Sequence, residues 1–324
     1  SYGDNNTNTF FGYYDISPFS PNSKKILYLS LTNNKKEADI FLHDLEKDSR
    51  NLITTTNAWN WQQGSRLRWK PGSNNKIMFN DFIEGRYITR IKNLYTKDEK
   101  IINYPLYDVD SSGKNGITLD FNRLGVLRPG YGYTNTKYFE PESLEHEGID
   151  IIDIESGKSI KKITYSMINE ILGNNITDFS KYYINHLSFS PSGNKFLFFW
   201  INIKENGIHH AELWVYDLIK ETLDVLERDL SVSHYDWIDD EKIIVTAYNQ
   251  ARECRYYIYN TNGERTDLLH DILKEDGHPT WIGNNKFITD TYPNRYGFQK
   301  ILYIDIYQQK IETLLDIYSS YKIY

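Results

Sequence analysis

Three histidines and an arginine recur at one position of a repeated pattern, and their chemistry is the first thing the sequence offers. His186 stands three residues before Phe189, His234 three before Trp237, His278 three before Trp281, and Arg66 three before Trp69. The histidines are 48 and 44 residues apart, so any meeting between them is made by the fold and not by local sequence. Neutral imidazoles that converge can ligate a divalent transition ion, with water, Gln or carboxylate completing the shell. The same groups can act as general base and acid near neutral pH.

A second group of side chains suits an anionic ring. Arg123, Arg128, Tyr131 and Tyr133 lie in one long insertion, and Trp61, Gln62 and Gln63 lie in the WNWQQGSR stretch. Arginine forks match carboxylates, aromatic faces match the apolar faces of sugars, and Gln bonds hydroxyls. Asp15 and the strand-end pair Asp290 and Tyr292 could add to such a site. Against this stand plainer readings. An Arg–Tyr network can simply pin an insertion, and strand-end carboxylates commonly form turns. In WD-repeat proteins a Gly-His pair like Gly277-His278 has a purely structural role. His43, His146, His209, His210 and His270 fall in outer strands or loops, where surface positions are expected.

The elements that must position these groups are legible as repeats. NHLSFSPSGNKFLFFW, from Asn185 to Trp200, reads as strand, Ser-Pro-Ser-Gly turn, strand. Copies align on Phe19, Trp69, Val109, Phe189, Trp237 and Trp281. Each hairpin is followed by a third strand (DIFLHDL, RYITRIK, GIDIIDI, ELWVYDL, RYYIYNT, KILYIDI) and a fourth β-rich piece (NLITTT, KIINYP, SIKKIT, TLDVLE, TDLLH, KIETLL). Four strands per unit, repeated along the chain, predict an all-β fold: a β-propeller of four-stranded blades, one domain over residues 1–324. Six blades can be counted. A seventh, incomplete one is the alternative, with DIYSSYKIY as a terminal strand or clasp. The first strand of every blade would line a common channel, which is why equal offsets matter.

Residues 1–9 read as a disordered or strand-capping lead, and Asn33-Asn34-Lys35-Lys36 as an exposed hairpin tip. Short helices are expected over Tyr165–Leu172 and Leu268–Lys274.

Composition narrows the classes. The chain has 27 Tyr, 15 Phe and 7 Trp among 324 residues, ample for an aromatic, β-rich core. A net charge of −7 argues against nucleic acid or anionic membranes as partners. No apolar run is long enough to span a bilayer, and the polar lead SYGDNNTNTF lacks the parts of a signal peptide. A cytoplasmic chain is expected, with a periplasmic or secreted mature chain as the alternative. Cys254 is the single cysteine, so no internal disulfide can form. No phosphate loop, Cys-x-x-Cys pair or Gly-x-Ser-x-Gly elbow is present.

With these motifs in view, FFGYYDISPFSPNSKKILYL, WNWQQGSRLRW, RPGYGY, INHLSFSPSGNKFLFFW, SHYDW and GHPTW…TDTYP resemble a family of bacterial propellers related to the oligogalacturonate lyases and TolB-like repeats. Members often accompany polysaccharide-biosynthesis genes. The resemblance covers residues 10 to about 305. It implies β-elimination at a uronic acid. A metal (Mn, Zn or Ca) held by histidines and a glutamine would neutralise the substrate carboxylate, while an arginine or similar base removes the neighbouring proton. His186, His234 and His278 are similar to the family's channel histidines and are the expected metal ligands. Arg123 and Arg128 are similar to its arginines without a one-to-one match. A late blade that supplies further His and Arg in the family is missing or degenerate here.

The expected function is thus a carbohydrate-active lyase acting on an anionic oligo- or polysaccharide. His186 or His234 would be the base, Tyr131 or Tyr133 the acid, and Arg66 or Arg123 the carboxylate's partner. A non-catalytic glycan-binding or polysaccharide-assembly propeller and a WD-type protein-interaction platform are the alternatives.

Overall fold

The structure is a computed structural model that describes residues 2, 6–32, 36–139, 143–173, 176–268 and 273–319. It contains six sheets, each of four antiparallel strands taken in sequence order, which is a six-bladed β-propeller. Blade one comprises Thr7–Phe10, Lys25–Thr32, Ala38–Asp44 and Ser49–Thr56. Blade two comprises Arg68–Trp69, Lys76–Ile83, Arg86–Asn93 and Glu99–Ile102. Blade three comprises Asp108–Val109, Asn115–Thr118, Gly148–Asp153 and Lys158–Thr164. Blade four runs Tyr182–Phe189, Lys195–Ile203, His209–Asp217, Thr222–Glu227. Blade five runs Ser231–Trp237, Lys242–Tyr248, Cys254–Asn260, Arg265–Leu268, and blade six Thr280–Gly283, Lys286–Asp290, Phe298–Asp305, Lys310–Tyr318.

The six fourth-strand segments and six third-strand segments read from the sequence all fall in these positions. The last strand belongs to blade six, pairing from Phe298↔Tyr318 to Asp305↔Lys310, and residues 320–324 lie outside the described residues. Among the described residues no sheet mixes strands from both ends of the chain.

The chain divides into two compact units, Ser1–Phe189 and Ser190–Tyr324. In the first, apolar side chains of blades one and two meet: Leu27, Leu29, Ile40, Trp69, Ile77 and Phe79 are all buried. A second cluster joins blades two and three through Met78, Ile91, Val109 and Ile152. In the second unit Ile244, Tyr256, Phe287 and Ile304 tie blades five and six. Alternation along a strand places one of its faces in such a layer, where Trp69 and Val109 sit and against which Trp281 packs. A carboxylate latches neighbouring blades at a repeated place. Asp108 accepts the amide of Phe189 at 2.8 Å, and Asp236 accepts that of Trp281 at 2.6 Å.

Three expectations need correcting. The first strand of blade one is Thr7–Phe10, inside the supposed lead, and Phe19 forms only an isolated bridge with Ile26. Phe19 is accordingly 46% exposed, whereas Trp69 and Phe189 are buried. His43 is buried in an outer strand, between Tyr2 Oη at 2.7 Å and Asp48 at 2.9 Å. The helix expected from Leu268 does not begin there, because Leu268 ends a strand of blade five. Residues 269–272 of that helix, His270 and Asn33 to Lys35 lie outside the described residues.

The other helix, α1 here being Phe121–Leu127 and α2 Tyr165–Leu172, forms as expected. Thr164 caps its first turn and Gly173 closes it at φ 61°.

Candidate functional site

The second unit brings two of the three aligned histidines together. His234 and His278 have ring centroids 3.9 Å apart, and the Tyr292 ring lies 6.4 and 6.1 Å from them. His234 stands at a bulge where the first strand of blade five slips register between Val232 and His234. His278 follows Gly277, where a β-carbon would lie 1.9 Å from the carbonyl oxygen of Asp290. The Gly-His pair thus lets the chain press against the neighbouring strand and bring His278 beside Asp290.

Each imidazole has its own carboxylate. Asp276, 9% exposed, accepts from Ser233 Oγ at 2.6 Å, Tyr248 Oη at 3.0 Å and its neighbour's backbone N–H at 2.9 Å. It also meets Nδ1 of His234 at 3.5 Å and Cys254 Sγ at 3.9 Å. Ser233 Oγ also lies 3.1 Å from that Nδ1. The serine hydrogen goes to the carboxylate, so the serine oxygen can only accept, and Nδ1 of His234 must carry the hydrogen. Asp290 brackets Nδ1 of His278 at 2.9 and 3.0 Å, which makes that nitrogen a donor too. Both rings therefore carry hydrogen on Nδ1, and in the neutral form of each the lone pair is on Nε2.

The electrostatics agree with this assignment. Burial lowers the pKa of His234 against the pull of Asp276, keeping the ring neutral. Burial raises Asp276, but bonds from His234, Ser233 and Tyr248 outweigh it and hold the carboxyl below its usual range. Asp290 is likewise lowered on balance, burial being overcome by His278.

The first unit holds the rest. Arg66, 2% exposed and at φ 53°, clamps Asp15 through Nη1 at 3.2 Å and Nη2 at 2.6 Å, and its Nε donates to the Tyr107 carbonyl at 2.8 Å. Burial opposes the charge, but Asp15 and Tyr107 outweigh it and raise its pKa. His186, also in the left-handed region at φ 52°, bonds Tyr13 Oη through Nε2 at 3.1 Å, and its ring lies 6.2 Å from that of Tyr131. Two non-glycine residues at the same aligned offset thus adopt a conformation that side chains disfavour. Gln63 is fully buried, donating to Tyr107 Oη at 2.9 Å and Asn185 at 3.2 Å, while its Oε1 has no hydrogen-bond partner among the described residues.

Arg123 and Tyr133, expected near substrate, are enclosed. Arg123 rises from α1, capped by Asp120, and donates to the carbonyls of Phe179, Ser180 and Tyr182 and to Tyr138 Oη. Tyr133 is 0% exposed, its hydroxyl accepting from Asn80 at 3.0 Å. Both pin the insertion, and burial raises the Tyr133 pKa. Trp61, Gln62 and Arg128 are exposed on the same unit.

The expected three-histidine metal set does not fit this arrangement. His186 Nε2 is bonded to Tyr13, and among the described residues no group of three or more His, Cys, Asp or Glu could hold a metal ion. Two imidazoles on one ion, with bonds of about 2.1 Å, would hold their ring centres about 4.5–5.3 Å apart. His234 and His278 are closer than that. Sequence reasoning missed Asp276, Ser233 and Tyr248, which lie at no repeated offset.

No family model matches the chain, and no curated protein matches it. Solved structures do. An oligogalacturonate lyase in complex with manganese superposes with a TM-score of 0.68 at 10% identity, over 98% of this chain and 81% of that one. An oligogalacturonate lyase from Vibrio parahaemolyticus gives 0.64 at 12% identity, over 98% and 86%. TolB from Acinetobacter baumannii matches 80% of this chain and 54% of its own at 16% identity, with a TM-score of 0.45. In fold the chain is similar to the two oligogalacturonate lyases. No helix among the described residues is long and apolar enough to cross a membrane.

Proposed function

We propose that this propeller is a carbon–oxygen lyase that cleaves uronic-acid glycans by β-elimination, with His234 and His278 at its chemical centre. The observation that carries the reading is the pair of imidazoles, each backed by its own carboxylate and each carrying hydrogen on Nδ1. His234, kept neutral by burial, takes the proton from the carbon next to the uronate carboxylate. The electrons of that C–H bond form the new C=C bond as the glycosidic C–O bond at the adjacent carbon breaks. His278, held by Asp290, is the second imidazole at that centre. Tyr292, 54% exposed with its ring 6.4 and 6.1 Å from theirs, supplies a hydroxyl proton to the departing sugar oxygen. No step is assigned to a metal.

The similarity to oligogalacturonate lyase structures supports the substrate class. Incubating the full chain with polygalacturonate tests the reading. The expected result is growing ultraviolet absorbance from the unsaturated uronate product, reduced about 10²–10⁴-fold in His234→Gln and His278→Gln. Product formation that both variants sustain at the wild-type rate would remove the imidazole pair from the chemistry.

One observation favours a second reading, a glycan-binding propeller without catalysis. Arg66 is committed to Asp15 and Arg123 to backbone carbonyls, which leaves neither to stabilise a developing enolate. Saturable binding of the same polymer with no absorbance change would establish that reading.

A further inference from the structure

We infer that the first unit carries a preformed platform that grips a carboxylated sugar ring by stacking on Trp61 and pairing with Arg128. The inference deepens the proposed function and shares its ligand class, but it rests on residues outside the imidazole pair.

Trp61 is 56% exposed, unusual for so large an apolar side chain, yet it is not loosely held. Its ring lies 5.3 Å from Phe10 and 5.1 Å from Trp59, and Trp59 is fixed by an indole N–H bond to the Lys36 carbonyl at 2.7 Å. The turn beneath it is closed by Asn60, whose Oδ1 accepts from the amides of Gln62 at 3.1 Å and Gln63 at 2.7 Å. An exposed indole on a rigid cluster offers a flat apolar face with little conformational entropy left to lose on binding.

The cation comes from the adjoining loop. Asn60 Nδ2 donates to the Tyr131 carbonyl at 3.0 Å, and the Gln62 amide donates to the Gly130 carbonyl at 3.3 Å. The Arg128 loop and the Trp61 turn are thus bonded as one piece. Arg128 is exposed, its guanidinium rests 5.2 Å from the centre of the Tyr131 ring, and among the described residues no carboxylate pairs with it. In a chain with seven more acidic than basic residues, an arginine that meets no carboxylate among the described residues and lies beside an aromatic face is complementary to an anionic ring. Gln62, exposed on the same turn, can bond hydroxyls.

Titration calorimetry on the full chain tests this, with trigalacturonate as the probe and maltotriose as the neutral control. Trp61→Ala and Arg128→Ala are each expected to weaken trigalacturonate binding about tenfold or more. Maltotriose should bind at least tenfold more weakly than trigalacturonate. Arg128→Lys, which keeps the charge but not the fork, should fall between wild type and Arg128→Ala. Equal affinity in wild type, Trp61→Ala and Arg128→Ala, equal affinity for the two trisaccharides, or no trigalacturonate binding would overturn the platform. Failure of the lyase reading looks different: binding that depends on Trp61 and Arg128 without product. Product formation with binding indifferent to both residues would sink only the platform.

Discussion

Ser233 donates to Asp276 at 2.6 Å, and that bond decides which nitrogen of His234 carries hydrogen. A hydroxyl whose one hydrogen is committed to a carboxylate can offer its neighbour only a lone pair, so the imidazole is held as the Nδ1–H tautomer. Asp276→Asn should loosen that choice, since an amide can present either donor or acceptor. Nitrogen-15 NMR of His234 is expected to show a mixture of tautomers in Asp276→Asn and a single one in the wild type. A single Nδ1–H tautomer in both would make the backbone, not this network, the source of the order.

Acid should destabilise the second unit before it reaches ordinary carboxylate pKa values. His234 is lowered in the fold by burial, relative to about 6.5 for an exposed imidazole. The unfolded chain therefore binds a proton more readily, and this contribution, complete above about pH 6.5, is lost as pH falls towards the folded value. Asp276 and Asp290 are also lowered on balance, so their contributions are present above about pH 4 and lost below it. All three signs point the same way. Melting temperatures measured from pH 7.5 to 5 should fall in the wild type and fall less in His234→Gln.

The clamp between Arg66 and Asp15 is structural, and its removal should show the asymmetry of buried ion pairs. Asp15→Ala leaves a guanidinium that is almost wholly buried without its carboxylate, with an expected cost of about 3 kcal/mol. Arg66→Met removes the buried charge, and the 18% exposed Asp15 side chain can turn to water. The double variant Asp15→Leu/Arg66→Met is expected to be more stable than Asp15→Ala in denaturant titrations. If Asp15→Ala melts like the wild type, Arg66 is paired by something other than Asp15.

The repeat carried most of this architecture in plain view, because alternation and Ser-Pro or Gly turns are local signals that each blade states again. The equal offset of His234 and His278 foretold their meeting for the same reason. Blade one broke the rule where Phe10-Phe11-Gly12 leaves the sheet, so the aligned Phe19 marked a bridge and not the strand itself. Asp276 was invisible for a different reason: it sits in an irregular approach to blade six, and only packing against Ser233 and Tyr248 gives it meaning. Arg123 misled because an arginine on a short helix has no periodicity to say which way it faces. The direction was set by the carbonyls of Phe179, Ser180 and Tyr182, whose placement a sequence does not display.

The insertion that presents Tyr131 and Arg128 hangs on one glycine. At Gly132 a β-carbon would lie 2.1 Å from the Gly125 amide nitrogen and 2.2 Å from the Phe121 carbonyl oxygen, both backbone atoms of α1 that cannot step aside. Gly132→Ala should therefore lift the loop off the helix and break the Tyr133 amide bond to the Phe121 carbonyl, now 2.9 Å. The expected loss is about 3 kcal/mol or more, the size reserved for clashes that the backbone cannot absorb. Gly130 is the control. Its β-carbon would meet only Gln62 Cγ at 3.8 Å, so Gly130→Ala carries the strain of φ 92° alone, about 1–2 kcal/mol. Limited proteolysis between residues 126 and 138 should be faster in Gly132→Ala than in Gly130→Ala. Equal rates would mean that the loop is held by its left-handed turn and not by its seat on α1.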